Sequence, residues 1–240
     1  MKRFWNETSI RPTREGGRPE FAILLDGRPM HLPGGALLRV GPEGLAHAIA
    51  AEWRAAGANG GEISFDDTPL TRIAGTAQER IAPDPWPTID AIARYAESDL
   101  LCYRAEQPAK LVARQAEGWQ PWLDWAAGRY GARLRVTTGV APIKQHRDSV
   151  AALRDAVAAH DPYALAALGV AVPALGSLVL GLALAEARLD PVRAYALSAL
   201  DELFQAELWG EDAEAAARRR AVAADIELAA RFRLLTRGAA

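Results

Sequence analysis

The sequence predicts an α+β protein in which a small N-terminal α/β domain with antiparallel strands precedes a larger C-terminal α-helical domain. Three observations predict this arrangement. Short β-type runs with turn signals fill the first third, helical apolar periods fill nearly all of the remainder, and three alternating prolines separate the two in APDPWPTID. Prolines at this spacing favour extended chain. We therefore predict an N-terminal domain over residues 1–82, a proline-rich linker over 83–88 and a helical domain over 89–240.

The N-terminal part is predicted to contain two strands, a hairpin and helical segments. The β-type runs are TSIRPT and EFAILL. Asp26 and Gly27 separate FAILL from RPMHL, and this pair favours the positive φ angles of a two-residue hairpin turn. LAHAIAAEWRAA then places Leu45, Ile49 and Trp53 on one helical face, and GANGG is expected to end that helix. PLTRIAGTAQERIA is interpreted as a further helical segment.

Beyond the linker, helices are predicted almost throughout. The helical patterns are TIDAIARYAESDLLCYR, PAKLVARQAEGWQPWLDWAAGRYG, DSVAALRDAVAAHD, DPVRAYALSALDELFQAELWG and EDAEAAARRRAVAADIELAARFRLL, and ARLRVTTGVAPIK contributes one extended segment. Trp119, Trp122 and Trp125 recur every three residues, which predicts a helical ridge packed into the core, with a contact site as the alternative. This interpretation expects Pro121 to lie near the first turn of its helix.

Residues 162–185 carry no charge, and a single helix of this length would cross the hydrocarbon layer of a membrane. Pro173 and Gly176 lie at the middle of the stretch, where proline removes a backbone donor and glycine weakens a helix. Many of the residues are alanine, which gives little hydrophobic driving force. We therefore predict two short buried helices joined within residues 172–176, and no membrane span.

The composition is that of a globular protein with balanced charge. Of the 240 residues, 50% are hydrophobic and 24% are charged, and the formal net charge is −2. The basic run from Arg218 to Arg220 follows the acidic Glu211, Asp212 and Glu214, so we interpret it as a solvated helix face with intrahelical pairs. We expect no binding to nucleic acid.

Motifs for catalysis or metal binding are not found in the sequence. The four histidines are far apart, and the chain has neither a phosphate-binding loop nor a nucleophile elbow. Cys102 is the one cysteine, and its apolar surroundings in LLCY predict an inert buried thiol. The absence of disulfides indicates a reducing compartment, and no signal-peptide pattern is found, so we expect the chain to stay inside the cell.

The stretch DELFQAELWG presents an unusual distribution of side chains at the helical period. Leu200, Leu203, Phe204 and Leu208 share one face, and Glu207 falls on that face too. Because burying a lone carboxylate is costly, we expect Glu207 to form a structural ion pair with an arginine such as Arg94 or Arg193. Contact with a binding partner is the alternative.

A second stripe of the same helix is formed by Asp201, Glu202, Gln205 and Trp209, which places an indole among carboxylates and an amide. A separate group of four residues lies nearer the linker and consists of Tyr95, Asp99, Tyr103 and Arg104. Because Asp99 and Tyr103 are four residues apart, they are expected to share a helix face in a hydrogen-bonded group.

Seven stretches occur along the chain in a defined order: FAILLDGRPMHLP, LAHAIAAEWRA, PLTRIAGTA, RYAESDLLCYRAE, LVARQAEGWQPWLDWA, GSLVLGLALAEARL and LDELFQAELWGED. Together they resemble the ATP12 family of assembly chaperones for the catalytic head of the proton-translocating ATP synthase. The likeness runs from about Arg3 to about Phe232. It implies an N-terminal α/β domain and a C-terminal orthogonal helical bundle.

The resemblance also implies a function without turnover. Such a chaperone binds the unassembled alpha subunit of the catalytic head and keeps it from aggregating until a beta subunit takes its place; it needs no cofactor or metal. The candidate partner-binding residues are then Asp201, Glu202, Gln205, Trp209 and Glu207, and a solvated helix edge is the alternative for this stripe. A bacterial member is expected in the cytoplasm as a monomer, whereas eukaryotic relatives are expected in the mitochondrial matrix.

Two alternatives from other classes stay open at this point. One is an enzyme with an acidic site built from Asp99, Asp201 and Glu202, which predicts a deep pocket with converging carboxylates. The other is a membrane-attached scaffold that uses residues 162–185.

Overall fold

A computed structural model describes residues 2–15, 18–58 and 62–237. It divides into two compact units. The first unit comprises Met1–Pro85, Pro162–Ala166 and Arg231–Ala240, and the second comprises Trp86–Asp161 and Ala167–Ala230. Two segments from the C-terminal half therefore cluster with the N-terminal unit. The domain bounds 1–82 and 89–240 stay a prediction.

The first unit contains an antiparallel sheet built around one central strand. The strands are β1 (Thr8–Glu15), β2 (Arg18–Leu25), β3 (Arg28–Pro29) and β4 (Arg39–Val40), and β2 pairs antiparallel with each of the other three. Asp26 and Gly27 connect β2 to β3 with φ angles of 46° and 74°, as a type I′ hairpin turn requires. The predicted hairpin is confirmed.

The helices of the first unit begin with α1 (Glu43–Ala55) and α2 (Pro69–Thr76), and a π-helical turn at Ala77–Ile81 continues α2. Ala56 is the C-cap of α1, so the helix ends directly before GANGG, as predicted. Residues 59–61 of GANGG lie outside the described residues. The Trp53 indole donates a hydrogen bond of 2.9 Å to the Thr71 hydroxyl, which ties α1 to α2.

The remaining helices are α3 (Trp86–Ala93), α4 (Ala109–Tyr130), α5 (Arg147–Ala158), α6 (Pro162–Leu175), α7 (Leu178–Ala185), α8 (Pro191–Ser198), α9 (Leu200–Trp209) and α10 (Ala213–Thr236). A two-stranded parallel sheet pairs β5 (Tyr103–Arg104) with β6 (Thr137–Thr138), so the predicted extended segment is confirmed. The predicted α+β class is confirmed as well.

Prolines behave differently from expectation in two helices. Pro121 lies in the middle of α4 and not near its first turn. Pro121 is exposed, and so is Glu117 one turn earlier, whose carbonyl has no helical N–H donor because proline lacks one. Pro173 likewise lies inside α6 and not at a break.

The uncharged stretch 162–185 forms two helices, as predicted, but the break lies at residues 176 and 177. Gly176 has a φ of +61°, and the hydroxyl of Ser177 accepts the Leu180 N–H at 3.1 Å to begin α7. All eight residues of α7 are buried, which explains their apolar character. Gly181 lets α7 approach α6, because a Cβ there would lie 2.5 Å from Val172 Cγ2. Within the described residues, no helix combines the length and apolarity that a membrane crossing requires.

Candidate functional site

Helix α9 carries a group of large apolar side chains that face solvent. Trp209 is 78% exposed and Leu208 is 55% exposed, whereas Phe204, one turn before Leu208, is buried. The helix ends here because Gly210 adopts a φ of +89°, which favours glycine. The exposed indole therefore lies at the C-terminal end of a short helix whose inner face is packed.

Glu207 is exposed, so the prediction that it is a buried carboxylate on the apolar face is wrong. Its partner is Arg114 of α4, and neither Arg94 nor Arg193. Two guanidinium nitrogens of Arg114 lie 2.8 Å from the two carboxylate oxygens of Glu207, and the same guanidinium covers the Phe204 ring with 5.2 Å between the two centres. This hydrogen bond from Arg114 lowers the pKa of Glu207, so the carboxylate stays charged.

Asp201 at the start of α9 is bound to a buried amide. The Gln115 Nε2 donates to Asp201 Oδ1 at 2.7 Å, and the Gln115 Oε1 accepts the Ala105 N–H at 2.7 Å. Gln115 is only 1% exposed, and its backbone carbonyl accepts a hydrogen bond of 2.7 Å from the guanidinium of Arg104. A buried polar chain thus fixes the first turn of α9 to α4 and β5.

Glu202 and Gln205 complete the predicted stripe, and both are exposed. Arg219 of α10 reaches towards Glu202 with an N···O distance of 3.8 Å, and it donates a closer bond of 2.8 Å to Glu211. Because Glu211 is the closer partner, the contact between Arg219 and Glu202 is the weaker of the two. The stripe therefore combines one anchored acid, Asp201, with exposed polar side chains and an exposed indole.

A family model and several known proteins of the same family are similar to this chain. The family model described as ATP12 chaperone protein matches residues 2–127, which is more than half of the chain. The chain belongs to the ATP12 chaperone family. The mitochondrial protein atp12 of Schizosaccharomyces pombe is 27% identical over 226 residues, which cover 89% of this chain and 76% of that protein.

Solved structures extend the likeness over the whole ATP12 chain. The crystal structure of Atp12 from Paracoccus denitrificans has a TM-score of 0.88 and 44% identity, and the match covers 98% of both chains. The Atu1473 protein of Agrobacterium tumefaciens has a TM-score of 0.86 and 40% identity, covering 98% of this chain and 85% of that one. ATP12 proteins are chaperones for ATP synthase assembly. The Paracoccus structure shows that a bacterial member has the same fold as this chain.

The carboxylates of the acidic-site alternative have separate partners in this ATP12 chain. Asp99 is fully buried and accepts the N–H groups of Leu101 at 3.1 Å and Val179 at 3.0 Å. Burial raises the pKa of Asp99 to about 6, while the bond from Val179 acts in the opposite direction. Asp201 accepts from the Gln115 amide, and Glu202 is exposed with Arg219 at 3.8 Å. Within the described residues, no group of three potential metal-binding side chains is found.

The expectation that Asp99 and Tyr103 share a helix face is wrong. The chain there forms two 3₁₀ turns, Arg94–Glu97 and Leu100–Cys102, followed directly by β5. Asp99 caps the second turn and the start of α7 instead. Burial raises the pKa of the Cys102 thiol to about 12, in keeping with the predicted inert thiol.

The tryptophan ridge of α4 belongs to the core, as predicted. Trp119 is fully buried, and its indole donates to the Leu197 carbonyl at 2.9 Å. Trp122 and Trp125 pack partly buried against the same apolar cluster. Among the described residues of the second unit, Trp209 is therefore the most exposed indole at 78%, followed by Trp86 at 54%, and the ridge is not part of the exposed surface.

Sequence reasoning did not identify Arg114, Gln115 and Arg219 as partners of the α9 carboxylates. The chain has many arginines at helical spacing, and no local pattern shows which of them reaches α9. One signal was present: the helical period places Glu207 beside apolar residues, where a carboxylate is stabilised by a cation on a neighbouring helix.

Proposed function

We propose that this ATP12 chaperone binds the unassembled alpha subunit of the ATP synthase catalytic head and keeps it from aggregating until assembly. The observation that carries the proposal is the exposure of Trp209 and Leu208 at the end of α9. Exposed aromatic and aliphatic side chains next to polar groups are typical of protein-binding surfaces. An unassembled subunit exposes the apolar surface that such anchors cover.

The proposed client-binding residues are Asp201, Glu202, Gln205, Glu207 and Trp209. Because Gln115 and Arg114 hold Asp201 and Glu207, we assign these two a positioning role and assign direct contact to the other three. Residues 201–214 contain six acidic residues and no basic one. The matching surface of the client is therefore expected to be apolar with basic side chains around it.

We further propose that the chain acts as a monomer in the bacterial cytoplasm and has no catalytic turnover. Reversible covering of a client surface requires no nucleophile, metal or nucleotide. The buried Asp99, which accepts two backbone N–H groups, is assigned a structural role.

A pull-down of isolated alpha subunit by the full chain tests the proposal. Glu202→Lys reverses the charge of the stripe, and Trp209→Ala removes its aromatic anchor. Asp155→Lys on α5 and Phe4→Ala in the first unit serve as matched controls, because they change an exposed acid and an exposed aromatic elsewhere. Circular dichroism confirms that each variant is folded before capture is measured.

Capture by the wild type and both controls, with about tenfold weaker capture by Glu202→Lys and Trp209→Ala, would support the proposal. Equal capture by all variants would move the client surface away from α9. If wild type captures no alpha subunit while a competent control chaperone does, the assignment of the client is wrong.

A further inference from the structure

A second charged surface lies on the segment 131–147, which we call the basic loop. Its four charged side chains are all cationic and exposed: Arg133, Arg135, Lys144 and Arg147. No acidic residue occurs within the segment. Across the part of the chain that the structure describes, none of these four side chains forms an ion pair. The basic loop is thus opposite in charge to residues 201–214.

Two buried side chains hold the backbone of the basic loop. Gln145 accepts the Arg135 N–H at 2.7 Å and donates to the Arg135 carbonyl at 2.9 Å. Ser149 donates its hydroxyl to the Arg133 carbonyl at 2.9 Å. Because these bonds already order the loop, binding of a ligand costs little conformational entropy in the loop.

The basic loop contains an unpaired strand edge. The Gly139 N–H donates to the Arg104 carbonyl at 2.8 Å, so residues 137 and 139 direct their backbone groups towards β5. Since backbone groups alternate along extended chain, we infer that those of Thr138 and of Val136, just before β6, point to the opposite side, where the Thr138 carbonyl accepts only the Thr137 hydroxyl at 3.4 Å among the described residues. No second strand pairs with β6 there among the residues described. Such an edge can accept an added strand.

Apolar side chains flank this edge. Val136 is 41% exposed and Val140 is 94% exposed, which is unusual for valine in a chain with an ample core. One carboxylate does approach the loop, since Glu106 Oε1 would lie 3.5 Å from a Cβ at Gly139. Glu106 follows β5 in the chain, whereas Val136 and Thr138 direct their backbone away from β5.

We propose that the basic loop binds an extended acidic segment of a partner protein, which adds to β6 as a third strand. Backbone N–H groups of Val136 and Thr138 supply main-chain hydrogen bonds, the exposed valines contact apolar side chains, and the four cations pair with carboxylates. The acidic residues 201–214 of a second copy do not fit this edge, because α9 and α10 make most of them helical. The proposal uses residues distant in sequence from α9 and does not depend on the alpha subunit as client.

Fluorescence anisotropy with the full chain tests the charge requirement. The probe is a labelled peptide in which glutamate and valine alternate. It has about six residues, which is the usual length of a strand. We expect binding that weakens as salt is added. The double variant Arg133→Glu with Arg147→Glu is expected to bind about tenfold more weakly. The matched double variant Arg188→Glu with Arg220→Glu, which changes charge equally at exposed sites elsewhere, is expected to bind like wild type.

A second peptide tests strand addition. N-methylation at alternate residues keeps its charge and removes the backbone donors along one edge, so a peptide methylated on the edge that pairs with β6 is expected to lose binding. Binding of the unmethylated peptide is expected to slow amide hydrogen exchange at Val136 and Thr138.

Three results would overturn the proposal. The first is no binding of the unmethylated peptide at low salt. The second is equal binding of the methylated peptide. The third is binding of single-stranded DNA or phosphatidylserine vesicles that is as tight as peptide binding and equally sensitive to Arg133→Glu with Arg147→Glu, because it would show a surface selective for charge alone.

Discussion

Replacement of Gln115 by leucine is expected to loosen the attachment of α9 to the core. In the wild type, the buried amide accepts the Ala105 N–H at 2.7 Å and donates to Asp201 at 2.7 Å. Leucine removes both bonds while keeping a similar volume. An N–H group that loses its acceptor in a partly buried position costs about 1–3 kcal/mol.

The remaining contributions are smaller and partly cancel. Loss of the bond to Asp201 costs about 1 kcal/mol, because this half-buried carboxylate recovers water in place of the amide. Burial of the leucine side chain returns about 1 kcal/mol. We therefore expect Gln115→Leu to lower the free energy of unfolding by about 2 kcal/mol, read from urea titrations followed by circular dichroism.

The same helix offers a matched control. Gln120 also donates to an aspartate, Asp124, at 2.9 Å, but both residues are exposed. Gln120→Leu is therefore expected to change the free energy of unfolding by less than about 0.5 kcal/mol. A double-mutant cycle of Gln115→Leu with Asp201→Ala is expected to give a coupling of about 1 kcal/mol. Wild-type stability of Gln115→Leu, or zero coupling, would refute the reasoning.

Three further predictions concern the buried interior of the second unit. Burial raises the pKa of Asp99 from 3.8 to about 6. The folded chain therefore holds this proton more tightly than the unfolded chain, and the group's contribution to stability is complete below about pH 4 and is lost as the pH rises to about 6. The loss is about 3 kcal/mol, and Asp99→Asn is expected to remove this part of the dependence of Tm on pH; an unchanged slope would contradict it. Trp119→Phe deletes the donor to the Leu197 carbonyl and reduces buried area, so urea titration is expected to show a loss of about 1–3 kcal/mol, whereas wild-type stability would show that the bond contributes nothing. Gly181→Ala forces a Cβ to within 2.5 Å of Val172, so a loss of about 1–3 kcal/mol is expected; a double variant with Val172→Ala should recover part of it, and no recovery would assign the strain elsewhere.

Features that depend on a few neighbouring residues could be predicted from the sequence. The hairpin at Asp26 and Gly27 follows from the φ angles that this pair tolerates. The two-helix form of residues 162–185 follows from Gly176, although the sequence placed the break too close to Pro173. A proline inside a helix is tolerated when its outer side meets water, and the exposure of that side is set by tertiary packing.

The residues of the candidate stripe were proposed from the sequence, but their partners on other helices were not. The sequence identified the stripe from Asp201 to Trp209 and the unusual carboxylate of Glu207. It gave Glu207 the wrong surroundings, because a small rotation of α9 on its neighbours moves a residue at the border of the apolar face into solvent. The choice of Arg114 as partner depends on how α4 and α9 align.

The sequence by itself determined the α+β class, the turn chemistry and the helical periods, since each is a property of local backbone preference and spacing. The motif order that resembles ATP12 chaperones is likewise contained in the sequence, and the family match confirms it. Only the tertiary structure decided that Arg114 holds Glu207, that Gln115 holds Asp201 and that Asp99 caps α7. These pairs join residues 80 or more positions apart. Their partners are selected by helix packing and register, which no local pattern encodes.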